Sequence, residues 1–505
     1  MEDEGLGTWL RRRRARSPEA IAIVFGEERV TYREFADRSE LVAGVLADAG
    51  IGRGDRVAYF GENSSSFLVT LFATVSIGAV FVPINTRLAP PEIAHVLSDS
   101  GASLFIHDDA PEAAVERATE GIDGLTIIPL RGAADSLAER VASATPVPAQ
   151  ASGLKEPAAI IYTSGTTGRA KGAVLTHRNL SWVALNCIID YDVVSSDVAL
   201  MISPLFHVAS LGMGALPIVM KGGTLVLERG FDAGRALEQI ERHGVTMLSG
   251  VPTTFQMMSE HPNWDSTDLS SLRKLTCGGS PAPLPMIEKY ESRGLSFSQG
   301  YGMTEAAPSV SALSPNKTLE KLGSVGLPHF FTRLRITTES GERAAPGEVG
   351  EIEVCGPNVF AGYWNMPEAN DAAFTQDGWF RSGDLGYVDD EGYLFIVGRA
   401  KDMIISGGEN IYPAEVEALL LEMDGVTGAA VVGIADERWG EVPWAAVTVS
   451  SGTEITTDAV RAALDGRLAR YKLPKRVVIV DDLPRTATGK VRKASVKSML
   501  EELED

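Results

Sequence analysis

The chain has 505 residues, more than one ordinary domain holds and enough for several units that each bury a core. Hydrophobic residues make up 44% and charged residues 22%, which is a globular rather than a disordered composition. The 46 Lys+Arg and 67 Asp+Glu give a formal net charge of -21, which argues against nucleic acid or anionic lipid as a partner. Widely spaced cysteines without a CxxC or Cys/His cluster argue against a disulfide framework or a structural zinc. We therefore interpret Cys187, Cys277 and Cys355 as packing residues in a reducing compartment.

Neither the N-terminal region nor the longest apolar run predicts a membrane segment. Five arginines fall within residues 11–16, but no apolar stretch follows them, so a secretory signal is not expected. We interpret this cluster as a solvated basic run on a helix. The apolar run 67–84 is interrupted by Thr70, Thr74 and Gly78, which favours a buried helix leading into a short strand at 79–83. The expected location is the cytoplasm, with no membrane span.

Over the first 160 residues, short β-branched segments alternate with helical patterns. Thr31 is a good N-cap, and Glu34 lies three residues further on, as a capping box requires. This alternation predicts α/β layers around a largely parallel sheet. Strands are predicted at 21–25, 56–59, 79–82, 103–106 and 158–161, and helices at 31–49 and 91–98.

The pattern changes twice in the second half of the chain. From about 323 to 398, short strands at 334–338, 348–354 and 393–397 alternate with Gly/Pro/Asp turns, which predicts a small, mostly antiparallel, β-barrel-like subdomain. After residue 400 the pattern predicts a compact α+β unit, in which Pro413 begins a helix with acidic residues in its first turn. The further elements predicted there are strands at 429–434 and 444–449, a helix at 458–469 and a strand at 476–480. The predicted fold class is therefore α/β, with an N-terminal domain over 1–400 and a small α+β C-terminal domain over 401–505.

The first strong motif, Tyr-Thr-Ser-Gly-Thr-Thr-Gly-Arg-Ala-Lys-Gly at 162–172, lies between two apolar runs. Its glycines let successive backbone N–H groups point at one anion, while its hydroxyls and Lys171 add further donors. It is not a Walker loop, because no Gly-Lys-Ser/Thr follows at the required spacing. Taken alone, a loop of this composition is more often a flexible surface turn. The candidate phosphate-binding residues are Thr163, Ser164, Gly165, Thr166, Thr167, Gly168 and Lys171.

Four further motif regions follow in chain order: Tyr301-Gly302-Met303-Thr304-Glu305; Trp379-Phe380-Arg381-Ser382-Gly383-Asp384; 398–402 with 406–411; and Pro484-Arg485-Thr486-Ala487-Thr488-Gly489-Lys490. Together with the loop at 162–172, they resemble the signatures of the adenylate-forming superfamily. That superfamily includes the acyl-CoA synthetases, the adenylation domains of peptide synthetases and the luciferases. The resemblance covers nearly the whole chain, with Ser382 in place of the family's Thr. It points to the acyl-CoA synthetase branch, of which the fatty-acid–CoA ligases are typical.

The resemblance implies ATP, Mg²⁺ and coenzyme A as cofactors and assigns roles at matching positions. Lys490 would be the catalytic lysine, whose charge stabilises the transition state when a carboxylate attacks the α-phosphate. Thr304 would donate to that phosphate, and Glu305 would be the Mg²⁺ ligand. The remaining nucleotide-binding positions would be Gly279, Ser280 and Gly302, with Tyr301 stacking on the adenine, Asp384 at the ribose and Arg399 at the ribose or phosphates.

Members of this superfamily perform two half-reactions by rotating a mobile C-terminal domain. By the match, Lys401 would be the hinge, and Ser406, Gly407, Gly408 and Glu409 would face the site when the CoA thiol attacks. The cluster Arg470, Lys472, Lys475 and Arg476 could meet the CoA phosphates or could be a solvated basic edge.

The expected substrate is a hydrophobic carboxylic acid, either medium- to long-chain or bulky and cyclic. His207 matches the position that acyl-CoA synthetases place near the substrate carboxylate, where amino-acid-activating relatives usually carry Asp. The pocket walls, inferred at 206–214, 249–252, 277–280 and 301–310, are largely apolar and contain no Arg or Lys to pair a second carboxylate.

The expected reaction has two steps: the carboxylate and ATP give acyl-AMP and pyrophosphate, and the CoA thiol then converts acyl-AMP to acyl-CoA and AMP. The alternatives are a ligase that delivers the acyl group to a separate carrier protein, more distantly a light-emitting monooxygenase, and a nucleotide-binding regulator that has lost catalysis. The sequence leaves a homodimer open.

Overall fold

The structure is a computed structural model that describes residues 5–108, 112–132, 135–163, 169–279, 282–406, 409–436, 438–450, 452–453, 455–465, 467–486 and 490–503. Several predicted site residues lie outside these ranges: Ser164, Gly165, Thr166, Thr167, Gly168, Ser280, Gly407 and Gly408. Residues 487–489, which precede Lys490, also lie outside them.

Helices and strands alternate along the chain, as the sequence predicts. The α-helices are α1 (Trp9–Arg16), α2 (Tyr32–Asp48), α3 (Ser65–Ser76), α4 (Pro90–Ser100), α5 (Glu112–Thr119), α6 (Leu137–Ser143), α7 (His177–Asp190), α8 (Leu216–Lys221), α9 (Ala233–His243), α10 (Pro252–Glu260), α11 (Leu284–Glu291), α12 (Pro367–Ala373), α13 (Pro413–Leu421), α14 (Thr457–Leu464) and α15 (Lys493–Glu501). The strands of the first half are β1 (Ile21–Phe25), β2 (Glu28–Thr31), β3 (Arg56–Phe60), β4 (Val80–Ile84), β5 (Leu104–His107), β6 (Thr126–Pro129), β7 (Pro157–Thr163), β8 (Lys171–Thr176), β9 (Val198–Met201), β10 (Thr224–Leu227) and β11 (Met247–Gly250). Those of the second half are β12 (Lys274–Gly278), β13 (Phe297–Tyr301), β14 (Ser311–Leu313), β15 (Ser324–Pro328), β16 (Arg333–Thr337), β17 (Gly350–Cys355), β18 (Gly362–Tyr363), β19 (Phe380–Val388), β20 (Leu394–Arg399), β21 (Ile404–Ser406), β22 (Glu409–Ile411), β23 (Val426–Asp436), β24 (Gly440–Val449) and β25 (Arg476–Ile479).

Two large sheets form the part of the structure before residue 400. Among the described residues, one sheet has the strand order β18-β8-β7-β4-β3-β5-β6, and the other runs β16-β17-β19-β20-β15-β14-β13-β12-β11-β9-β10-β1-β2. In the first sheet, β3 pairs in parallel with β4 and β5, β4 with β7, and β5 with β6. In the second sheet, β9 pairs in parallel with β10 and β11, β11 with β12, and β12 with β13. The predicted α/β class with parallel sheet is therefore confirmed.

Local sequence signals set several element boundaries. The Thr31 hydroxyl accepts the Glu34 N–H while the Glu34 carboxylate accepts the Thr31 N–H, so the predicted capping box begins α2. The apolar run becomes α3 followed by β4, because the segment is buried between two layers. Of the described helices, none is long and apolar enough to cross a membrane.

The β-rich segment is antiparallel as predicted, and its strands continue a larger sheet. Strands β16, β17, β19, β20 and β15 pair in antiparallel fashion, and β14 joins them to the parallel strands through β15 and β13. The predicted helix 458–469 is too long, since α14 ends at Leu464, shortly before Gly466 in the sequence, a residue type that disfavours helix.

Residues after 400 form a separate sheet with its own apolar cores. Strands β22, β21, β24 and β23 are neighbours, and β25 pairs with β24. One core, on one face of the sheet, includes Val416 and Leu464, and the second includes Trp444 and Leu500. Both cores are built from residues beyond 403, so this part buries its apolar side chains without help from the large sheets.

The N-terminal basic run on α1 is partly exposed and partly tied to neighbouring elements. The Arg13 guanidinium donates to the Lys221 carbonyl, and Arg14 bonds with Asp37 and Glu40, whereas Arg11, Arg12 and Arg16 are exposed. Cys187 and Cys277 are buried free thiols, and burial raises the pKa of Cys277 to about 12. These two cysteines are packing residues, as predicted.

A buried histidine fixes the N-terminal segment to the body of the protein. The fully buried His177 begins α7, and its Nδ1 accepts the Leu6 N–H at 3.1 Å. Burial lowers the pKa of His177 to about 4, with Arg53 acting in the same direction and Glu156 opposing it. His177 is therefore neutral in the folded protein near pH 7, while an unfolded histidine binds a proton below about pH 6.5.

This difference predicts an acid sensitivity that can be assigned to one residue. Since the unfolded state takes up the proton first, folding stability should fall as the pH drops from about 6.5 towards 4. Between pH 7.5 and pH 5, the wild type should lose about 2 kcal/mol more unfolding free energy than His177→Asn, in which the side-chain oxygen keeps an acceptor near Nδ1. Denaturant unfolding of both proteins across this pH range measures the effect. Parallel stability profiles would show that His177 is not the titrating group.

Candidate functional site

The candidate site lies where the carboxyl ends of parallel strands meet. Strands β11, β12 and β13 are adjacent and end at Gly250, Gly278 and Tyr301. Gly279 follows with φ of +85°, a conformation that favours glycine. The carboxyl ends of such strands are the usual position for ligands in α/β folds.

The loop after β13 brings Thr304 and Glu305 to this edge in a tight turn. A Cβ on Gly302 would lie 1.2 Å from the Pro308 carbonyl oxygen, so only glycine fits there. Thr304–Ala306 form a 3₁₀ turn, which ends at Ala307 with φ of +57°. The close backbone approach explains why Gly302 belongs to the motif: it folds the loop back and does not itself have to touch a ligand.

Glu305 is held by a tyrosine from a distant part of the chain. The Tyr363 hydroxyl donates to Glu305 Oε1 at 2.8 Å. Lys171 Nζ lies over the ring of Tyr363, 5.2 Å from its centroid. Burial, followed by the Glu305 carboxylate, raises the pKa of Tyr363, so its hydroxyl remains a donor. Glu305, the candidate metal ligand, and Lys171, the candidate phosphate-binding lysine, therefore both contact Tyr363.

Residues 357–364, which we call the strap, connect the elements of the site. Asn179 donates to the Pro357 and Val359 carbonyls, and Asn358 donates to the Ala306 and Ser309 carbonyls. The Phe360 N–H donates to the Glu305 carbonyl at 2.8 Å. Further along the strap, Gly362 pairs with Val174 and Tyr363 with Ala173 as β18 adds to β8. The strap thus fixes the acidic loop against the strand that follows the phosphate-binding motif.

The hairpin β7–β8 carries the predicted phosphate loop at its tip. Thr163 and Lys171 are register partners, so the strands bring the two ends of the loop together. Helix α4 supports the hairpin, because the Tyr162 hydroxyl donates to Asp99 and His95 Nε2 bonds with the Ala170 carbonyl. Residues 164–168, which join the two strands, lie outside the described part of the chain.

Asp384 lies at a second corner of the site with two polar partners. It is 6% exposed and accepts the Tyr301 hydroxyl at 2.5 Å. Arg399 is its register partner across β19 and β20, and the Arg399 Nε lies 3.2 Å from Asp384 Oδ1. Burial and then Asp384 raise the pKa of Tyr301. The Ser382 hydroxyl accepts the Asp384 N–H, so serine retains the hydroxyl that threonine supplies in the family motif.

Lys490 reaches this corner from the C-terminal part of the chain. Its Cε lies 3.8 Å from the position of a Cβ on Gly279. The side chain is exposed to solvent in the cleft, yet the surrounding protein atoms, and then the charge of Arg399, lower its pKa, while Asp384 and Glu305 act in the opposite direction. Lys490, Asp384 of β19 and Glu305 of the loop after β13 are therefore neighbours in space.

His207 lies at the same cleft, ahead of an irregular helical turn. Its Nε2 is buried and has no hydrogen-bond partner among the described residues. Burial, and then the charges of Lys490 and Arg87, lower the pKa of His207 to about 4, so the ring is neutral near pH 7. Ala209–Ala215 then form a π-helix, a conformation that is frequent at functional sites.

Other predicted residues are not brought to this corner. Ser406 and Glu409 are register partners in the hairpin β21–β22, and the contacts of the described residues do not join them to Asp384 or Lys490. Lys401 is exposed in a 3₁₀ turn directly after Arg399. In the basic cluster, Lys472 pairs with Glu415, Lys475 pairs with Asp436, and Arg476 lies over Trp444. Arg470 is exposed.

The residues present fit a nucleotide with a magnesium ion. The described residues contain no group of three His, Cys, Asp or Glu that could enclose a metal. Mg²⁺ commonly binds through one or two carboxylates plus substrate phosphates, and Glu305 can offer its second oxygen, Oε2. Lys171, Arg399 and Lys490 would supply positive charge for the phosphates of a nucleotide, and Asp384 would accept from its ribose hydroxyls.

Sequence reasoning did not identify Tyr363 as a site residue. It lies 58 positions from Glu305, and Gly-Tyr-Trp at 362–364 has no local feature that indicates a ligand. The bond from Tyr301 to Asp384 was also missed, since the sequence suggested only a stacking ring. In both cases the signal is a tertiary contact between segments that lie far apart in the chain.

Comparison with known proteins identifies the family. The model of the AMP-binding enzyme family matches residues 10–364, and that of the AMP-binding enzyme C-terminal domain matches 415–490. A feruloyl-CoA synthase of Amycolatopsis sp. is 49% identical over 98% of this chain and 99% of its own length. An indoleacetate–CoA ligase of Aromatoleum aromaticum is 42% identical over 98% of both chains.

Solved structures agree over the whole chain. MatB from Rhodopseudomonas palustris with bound ATP superposes with a TM-score of 0.92 and 32% identity, covering 99% of this chain and 100% of MatB. The o-succinylbenzoate-CoA synthetase MenE of Bacillus subtilis, with ATP and magnesium, has a TM-score of 0.88 and 35% identity over 98% of this chain and 99% of its own. The chain therefore belongs to the adenylate-forming superfamily of AMP-binding enzymes, as an AMP-forming acid–thiol ligase that uses ATP, Mg²⁺ and coenzyme A.

Proposed function

We propose that the carboxylic acid activated by this ligase carries an aromatic ring, with 3-arylpropenoic acids such as ferulate as the leading class. The observation that carries this proposal is the 49% identity, over nearly the full length of both chains, to a protein named for feruloyl-CoA. The indoleacetate–CoA ligase, at 42%, is also named for an aromatic acid, and the long-chain fatty-acid ligase FadD13 of Mycobacterium tuberculosis is less similar, at 39%.

The chemistry of the inferred pocket walls supports an uncharged, ring-containing acyl group. Ala209, Ser249 and Gly279 are small and exposed at the cleft, which leaves width for a planar group. Gly214 of the π-helix packs closely against Met201, since a Cβ on Gly214 would lie 2.7 Å from Met201 Cε. The four wall segments contain no Arg or Lys, so a second carboxylate would enter without a partner. Of the two substrate classes expected from the sequence, bulky cyclic acids are therefore favoured over medium- to long-chain fatty acids.

In the proposed adenylation step, the residues at the corner act on the α-phosphate and the carboxylate. Lys490 stabilises the charge that builds up as the carboxylate oxygen bonds to phosphorus and pyrophosphate leaves. Thr304 donates to the phosphoryl oxygens, and neutral His207 lies beside the incoming carboxylate. Asp384, oriented by Tyr301 and Arg399, accepts from the ribose. Mg²⁺, when bound at Glu305, neutralises the charge of the phosphates that leave.

We propose a division into an N-terminal domain over 1–400 and a C-terminal domain over 401–505, with Lys401 as the hinge. The proximity of Lys490 to Gly279, Asp384 and Glu305 corresponds to the arrangement for adenylation. Rotation about Lys401 would withdraw Lys490 and bring Ser406, Gly407, Gly408 and Glu409 towards the cleft for thioester formation. The separate cores of the C-terminal part support a rigid-body movement.

Two substitutions should separate the half-reactions. Lys490→Ala should slow pyrophosphate release by about 10²–10³-fold, as expected for the loss of one charge-stabilising donor, and should spare CoA transfer from a synthetic acyl-adenylate. Lys401→Pro should do the opposite, because proline restricts the backbone change that a hinge needs. Single-turnover assays of each half-reaction measure both. Equal loss of the two half-reactions in both variants would contradict the alternation.

The substrate class is tested with a panel of acids. Ferulate, cinnamate, indole-3-acetate, palmitate and 2-succinylbenzoate are each incubated with enzyme, ATP, Mg²⁺ and CoA. The aromatic monocarboxylates should have kcat/KM at least about 10-fold above palmitate and 2-succinylbenzoate, since shape and an unpaired charge each cost about 1–3 kcal/mol.

Thioester formation, followed by mass spectrometry, and pyrophosphate release are the two readouts. Lys490→Ala serves as the control for background hydrolysis of ATP. A preference for palmitate would overturn the aromatic assignment and leave the ligase activity itself intact.

A further inference from the structure

Tyr363 is placed between two charged groups that handle phosphate and metal. Its hydroxyl donates to Glu305 Oε1 at 2.8 Å, and its ring lies 5.2 Å below Lys171 Nζ. The hydroxyl bond uses one carboxylate oxygen and leaves Oε2 for a cation. A cation over an aromatic face is attracted by the ring quadrupole, so the ring also restrains the lysine.

The backbone of Tyr363 is itself immobilised on both sides. Asn370 Oδ1 accepts its N–H at 2.6 Å, and Asn370 Nδ2 donates to its carbonyl at 3.0 Å. The buried Phe360 packs edge-on against its ring at 5.0 Å. The pairing of Tyr363 with Ala173 fixes the register beside the phosphate hairpin. The hydroxyl therefore points at Glu305 from a rigid support.

We propose that Tyr363 is a positioning residue that aims the Glu305 carboxylate at the magnesium of MgATP and holds Lys171 for the phosphates. The proposal rests on Glu305 as the metal ligand, and it does not depend on which acid is activated. Outer partners that orient a metal ligand typically change metal affinity by 10–100-fold when removed. The hydroxyl and the ring have separable roles, one towards the metal and the other towards the lysine.

The first test measures metal binding without any carboxylic acid or CoA. Mn²⁺ replaces Mg²⁺, and its binding to the enzyme with a non-hydrolysable ATP analogue is followed by electron paramagnetic resonance. Tyr363→Phe should weaken Mn²⁺ binding about 10-fold, while binding of the nucleotide in EDTA stays unchanged because the ring remains. Tyr363→Leu should weaken both, since it also removes the face under Lys171.

Two further variants make the result specific. Glu305→Gln should weaken Mn²⁺ binding at least as much as Tyr363→Phe. Tyr290→Phe loses a buried hydroxyl that bonds to the Phe255 carbonyl at 2.9 Å in another core, and it should keep the wild-type Mn²⁺ affinity. Wild-type Mn²⁺ affinity in Tyr363→Phe would overturn the positioning role. Wild-type affinity in Glu305→Gln as well would overturn the metal ligand on which it rests.

Discussion

The strap, residues 357–364, must satisfy its backbone polar groups while it crosses between two sheets, and the site depends on how it does so. Its carbonyls accept from Asn179, its Asn358 side chain donates to the Ala306 and Ser309 carbonyls, and its Phe360 N–H donates to the Glu305 carbonyl. Buried polar groups without partners are costly, so these bonds define one arrangement of the acidic loop. The loop is further constrained by Gly302, which has no room for a side chain. Glu305 and the phosphate hairpin are thereby held in fixed relation although they belong to different sheets.

Charge in the cleft is local and opposed to the charge of the whole protein. The chain carries a net charge of -21, yet Lys171, Arg399 and Lys490 meet near Asp384 and Glu305. In a partly desolvated cleft these cations interact more strongly with phosphate than they would in water. Asp384 and Glu305 partly neutralise the positive charge of Lys490, and Asp384 also orients the Arg399 side chain. An acidic surface with a small basic cleft suits a nucleotide and is poorly suited to long polyanions.

The substrate side is built on different principles from the nucleotide side. Small residues at the strand ends and a π-helix after His207 provide space, and no cation is present in the four wall segments. In the proposed function, the nucleotide would meet fixed polar groups such as Asp384, which accepts the Tyr301 hydroxyl, whereas the acyl group would meet mainly apolar walls. Relatives with the same nucleotide machinery can therefore differ in the acid, as the feruloyl, indoleacetate and 2-succinylbenzoate names illustrate.

The sequence by itself determined the elements and the inventory of chemistry. The capping box at Thr31 and β1 at Ile21–Phe25 could be read directly, because local propensity and spacing specify them. The ordered motifs were interpretable through their resemblance to those of the adenylate-forming superfamily. Ser382 appeared in the sequence only as a departure from the family's threonine, and the structure shows that its hydroxyl accepts the Asp384 N–H. The helix α14 was overextended, because boundary signals are weak.

Only the tertiary structure decided how these parts meet. Tyr363 reaches Glu305 across 58 positions, Lys490 comes to rest against Gly279, and His177 buries its ring against Leu6. None of these contacts has a local sequence signal, because each arises from the packing of separate sheets and of chain segments far apart. The pKa values of His177, His207 and Lys490 are lowered for the same reason: burial and neighbouring charges exist only once the chain is folded.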